Sequence, residues 1–188
     1  DRDRRQWPSS WLDLASDRWR DQGLAVADPR YGSTGSHLAV LRSVLGEAEY
    51  RSLLLGLDGV GVQLVTGGNR AVVDAVAQGE VAFGATDADD VAAAQALGQP
   101  VDFHPLPLDE ERGPWVMTAE VRLVAPRTAE GVRYLDWMRE KGAQVFRSAA
   151  PGWLDPRQLP EGLSYDPKRA AKEQSLAVDE ALHIFGGR

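Results

Sequence analysis

Over its first hundred positions the chain alternates short apolar runs with longer amphipathic stretches. Leu24-Ala25-Val26-Ala27, Val62-Gln63-Leu64-Val65, Val81-Ala82-Phe83-Gly84 and Val101-Asp102-Phe103 are too short for helices and read as buried strands. Between them, Leu38, Leu41, Val44 and Leu45 recur at helical spacing, as do Tyr50, Leu53 and Leu54, and then Val72, Val73 and Val76. These predict helices near 35–45, 47–55 and 70–78, followed by an Ala-rich helix that ends near Leu97-Gly98. Glycines punctuate the pattern: Gly46 stops one helix, Gly59-Val60-Gly61 reads as a turn, and Gly79 suits the position after a helix end. Upstream, within 7–22, Ser9 or Ser10 is placed to cap one short helix carrying Trp11, Leu12, Leu14 and Trp19. Strand and helix alternating through 24–103 predict the α/β class, a mostly parallel sheet flanked by helices.

After Pro114 the pattern changes. Trp115 to Val124 alternates like a half-buried strand and Pro126 ends it. Thr128 is placed to cap a helix over 129–147 with Val132, Leu135, Trp137, Met138 and Phe146 as its packing residues. Prolines 151, 156, 160 and 167 mark 149–167 as loop, and a helix over 168–185 closes the chain. The expected division is a lobe over 1–110 and a strand–helix segment over 111–188 that packs on it or on a second lobe.

Charge narrows the possible partners. The 188 residues carry a net charge of -7 with both signs interspersed, which argues against a nucleic-acid surface. No apolar run is long enough to span a membrane. The absence of cysteine removes disulfide and thiolate chemistry and leaves the compartment open. The sequence begins at Asp1 without an initiating Met or an apolar leader, and so reads as a mature product, a fragment or a trimmed chain.

In an open parallel sheet, ligands bind beyond the carboxyl ends of the strands, where turns and helix N-termini converge. Three turns qualify. The first, Tyr31-Gly32-Ser33-Thr34-Gly35-Ser36, offers a phenol, hydroxyls and backbone N–H groups at a helix start, where an anion is favoured. The second offers Gly68, the Asn69 amide and the Arg70 guanidinium. The third, Thr86–Asp90, offers Thr86 and the carboxylates of Asp87, Asp89 and Asp90, which suit a cation or an amine, Asp87 and Asp89 serving equally as ordinary cap and first-turn acids. Gly- and Ser-rich turns also join strands to helices for purely structural reasons. Motifs for phosphate-loop, serine-hydrolase and zinc-protease chemistry are missing, and His37, His104 and His183 lack zinc-ligand spacing. His37, in the first turns of its helix, is placed to meet a ligand or to pack.

Several segments together resemble the type II periplasmic solute-binding proteins, specifically the iron(III)-transporter substrate-binding family. These are Pro8–Leu14, Ala27–Gly35, Gly68–Ala82 and Gly84–Asp90, whose order and spacing are similar to that family over about 7–107. Residues 115–148 resemble it more loosely. The resemblance implies one lobe of a two-lobed clamshell with the solute in the cleft, the segment before Trp7 normally holding most of the other lobe. It also implies, for iron binders, a pair of adjacent tyrosines near the third turn. This chain carries Asp87-Ala88-Asp89-Asp90 there and no Tyr pair.

The resemblance therefore implies the extracytoplasmic, periplasmic solute-binding component of an ABC importer, with an anionic small solute or a metal–anion complex as ligand. Its expected partners are that solute, an ABC permease and a missing lobe or second chain. No catalytic residue, cofactor or dedicated metal ligand is assigned. Two rival readings remain open: a ligand-sensing or scaffold module that keeps the fold without transport, and an anion-processing enzyme, which lacks a nucleophile–base pair.

Overall fold

The computed structural model describes residues 7–115, 128–142, 144–145 and 162–186. Three strands, β1 (Leu24–Ala27), β2 (Val62–Val65) and β3 (Phe83–Ala85), form one parallel sheet in the order β2-β1-β3. Leu24 lies opposite both Val62 and Phe83, and Val26 opposite both Leu64 and Ala85. Because β1 is central and covered on both faces, all four of its residues are buried, as an unbroken apolar run requires.

The period of two decides what covers each face. Ala25 and Ala27 turn toward Val72 and Ala75 of α4 (Gly68–Ala77), where small side chains let the helix approach the sheet closely. Leu24 and Val26 turn the other way, into the main core. That core is built from α2 (Gly32–Leu45), α3 (Glu47–Val60) and α7 (Pro167–Phe185), and includes Leu41, Tyr50, Leu54, Val60 and Phe185. α5 (Ala88–Ala96) packs on α4 through Val73, Val91 and Ala94.

The C-terminal helix is part of this lobe. Pro167 starts α7, and Asp166 caps it by accepting from the Lys168 N–H at 2.9 Å. Across the interface the buried Arg42 guanidinium donates to Glu173 at 2.9 Å and to Glu180 at 3.2 Å. Beside it the Tyr50 hydroxyl donates to the Ala177 carbonyl at 2.9 Å. An Arg whose side chain is only 9% exposed requires such partners, since an unpaired buried charge is strongly destabilising.

Several elements differ from their sequence-based expectation. Val101–Phe103 is not a strand. The Val101 N–H donates to Gln99, its carbonyl accepts from the Gln95 amide, and the Val101 and Phe103 side chains pack on the α4–α5 cluster. Gly32–Ser36 is the first turn of α2 rather than a loop before it. α3 runs through Gly59 to Val60, and Gly61 alone, at φ 93°, ends it. The N-terminal segment holds α1 (Trp11–Leu14), capped by Ser10, and a separate 3₁₀ turn over Asp17–Trp19. α6 (Ala129–Trp137) begins at Thr128 as expected but passes into a π turn over Met138–Gly142 and buries none of its own residues. The expected strand at Trp115–Val124 lies, beyond Trp115, outside the described residues, as do Phe146 and most of the 149–167 loop.

His37 is used in packing. Its ring stacks on Trp115 at 5.0 Å with a 12° interplanar angle and meets Trp11 edge-on at 5.0 Å, joining α2 to α1 and to the 104–115 segment. Burial lowers its pKa from 6.5 to about 4. Between those values the unfolded chain binds a proton that the folded chain does not, so stability falls as pH drops from 6.5 toward 4. The loss attributable to His37 reaches about 3 kcal/mol at the bottom of that window. Urea unfolding across this range should show a shallower pH dependence in His37→Gln than in the parent chain. Equal slopes would mean that the ring is protonated within the fold.

Candidate functional site

All three strands run in parallel, so their carboxyl ends meet at one edge and feed α2, α4 and α5. None of these helices has a side-chain cap at its start, and the cap positions are held by Tyr31, Gly67 and Asp87. At α4, Gly67 (φ 105°) and Gly68 (φ 72°) take left-handed backbone conformations that a β-carbon would strain, which lets the chain turn tightly off β2.

The three turns are bonded to one another. The Ser33 hydroxyl donates to Asp87 Oδ2 at 2.8 Å, and the Asn69 amide donates to the same oxygen at 2.6 Å. Asn69 also lies 3.2 Å from Ser33 Oγ as a donor, and the Thr86 hydroxyl donates to the Asn69 carbonyl at 3.3 Å. Beside this cluster an open cleft of about 210 Å³ is lined by Asp28, Tyr31, Gly32, Ser33, Thr34, Thr66 and Asn69, among others. Tyr31 stands at its mouth, 73% exposed.

Not every residue of the three turns faces this cleft. Gly35 is buried, and a β-carbon there would sit 2.3 Å from the Pro29 carbonyl, so its role is close packing of α2 under the preceding turn. Ser36 is absent from the cleft lining. Arg70, expected to meet an anion, turns along its own helix, donating to Asp74 at 3.1 Å and to Gln99 at 3.1 Å. Asp74 accepts from Arg70 and also from the Gln99 amide at 3.2 Å, and these two bonds hold its carboxyl below its ordinary pKa. Asp87 occupies the cap position of α5 yet spends its carboxylate on Ser33 and Asn69 instead of on its own helix.

One acidic residue of this edge was not singled out in the sequence. Asp28, on the cleft, is held ionised by the Arg30 side chain and backbone N–H, which lower its pKa. Its position at the end of the first apolar run was the available signal. Asp90, the third carboxylate of the 86–90 turn, groups with Asp87 and Asp89, one oxygen of each lying within 4.8 Å of the others. Burial and the neighbouring charges of Asp89 and Asp87 raise the Asp90 pKa, against the opposing hydrogen bond of Asn69 and charge of Arg70. The edge therefore gathers the carboxylates of Asp87, Asp89 and Asp90, while the Arg30 and Arg70 guanidiniums beside it are bonded to Asp28 and Asp74.

Comparison with solved structures shows a shared fold. Apo FutA2 from Synechocystis PCC6803 matches with a TM-score of 0.69 at 20% identity, over 94% of this chain and 63% of its own. The Bordetella ferric binding protein matches with a TM-score of 0.61 at 16% identity, over 95% of this chain and 64% of its own. The chain thus spans less than two thirds of the length of either. No family model and no curated protein matches it. The architecture is a mixed α/β, periplasmic-binding-protein-like lobe with a parallel sheet flanked by helices, as the sequence resemblance implies.

The Asp87 cluster has a measurable signature. Ser33→Ala and Asn69→Ala each remove one donor from a part-buried carboxylate, and each should lower unfolding free energy by about 1–2 kcal/mol. Because both donors serve one oxygen, the double variant should depart from additivity by more than about 0.5 kcal/mol in urea unfolding. Strict additivity would mean that the three turns are not joined in solution.

Proposed function

We propose that this chain is the ligand-binding lobe of an extracytoplasmic solute-binding protein that presents a small solute to an ABC importer. The reading rests chiefly on one observation: side chains from three strand-to-helix turns are bonded together at one sheet edge beside an open cleft. The fold shared with the Bordetella ferric binding protein supports it. No helix among the described residues is long and apolar enough to cross a membrane.

The ligand is a metal–anion complex, bound as cargo. Asp89 and Asp90 supply carboxylate oxygens for its cationic part, and hard oxygen ligands suit a highly charged cation. The backbone N–H groups at the starts of α2 and α4, with Thr34, face its anionic part from the cleft. A free anion is the weaker candidate, because Asp87 lies among its donors and Arg70 is committed to Asp74 and Gln99. Asp87, Asp89 and Asp90 thus favour a ligand that brings positive charge.

Gallium(III) nitrilotriacetate, a diamagnetic stand-in for a ferric complex, tests the reading by NMR titration of the labelled chain. Saturable shifts should concentrate at Ser33, Asn69 and Asp87–Asp90, and Asp89→Asn with Asp90→Asn should weaken binding roughly tenfold or more. Uniform shifts, or saturation indifferent to both substitutions, would refute it. With ferric nitrilotriacetate no tyrosinate-to-iron charge-transfer band should appear, since the proposed ligands are the Asp89 and Asp90 carboxylates and not the Tyr31 phenol. A visible band lost in Tyr31→Phe would instead make that phenol a ligand.

A further inference from the structure

We draw no further inference here: the strongest candidate, the apolar face of α6 with its exposed Val132, Tyr134 and Trp137, carries nothing because nothing in the structure shows what covers it.

Discussion

β1 hydrogen-bonds in parallel to β2 on one side and to β3 on the other, so all three chains leave the sheet at the same edge. A parallel neighbour can be reached only by a crossover, here supplied by α2 and α3 before β2 and by α4 before β3. Each departing chain must then start a helix, and three helix N-termini are brought within hydrogen-bonding reach of one another. Ser33, Asn69 and Asp87 meet for this reason, although 54 positions separate the first from the last. If β1 were antiparallel to either neighbour, one of the three turns would lie at the far end of the sheet.

The helices that cover the sheet hold this edge in place from behind. α4 sits against Ala25 and Ala27 of β1, which fixes the height of Asn69. α2 is clamped to α7 through Arg42, Glu173 and Glu180, and α3 to α7 through the Tyr50 hydroxyl and the Ala177 carbonyl. The buried guanidinium and phenol give that interface a directional requirement beyond apolar contact, and they fix the rotation of the helix whose first turn carries Ser33 and Thr34. Rigid elements behind a polar edge are what a preorganised site needs. Carboxylates are concentrated at this edge, and the Asp90 carboxyl, pushed upward by burial and its acidic neighbours, records that concentration.

Much of this was legible in the chain because it is local. The apolar runs at 24–27 and 62–65, the helical spacing of Val72, Val73 and Val76, and the stop at Gly46 all correspond to observed elements. The run at 81–84 appears as a strand shifted to Phe83–Ala85. Val101–Phe103 misled because a short apolar run packs equally well as a strand or as an irregular segment under two helices. The three turns were identifiable, but the allegiance of their side chains was not. Arg70 prefers Asp74 one turn along its own helix and Gln99 beyond it, and Asp87 prefers donors 18 and 54 positions away. Such choices depend on tertiary distances that no pattern along the chain encodes. The same holds for Arg42, whose partners on α7 lie 131 and 138 positions further on.

The central claim is that the shared edge of the sheet is a place where a cation-bearing ligand comes to rest, and not only a set of structural turns. Anomalous diffraction from crystals of the chain soaked in ferric nitrilotriacetate tests it most directly. The account predicts an iron peak within coordination distance of the Asp89 and Asp90 carboxylates, beside the cleft bounded by Ser33, Thr34 and Asn69. An iron peak bound elsewhere on the lobe, with that edge empty, would contradict it.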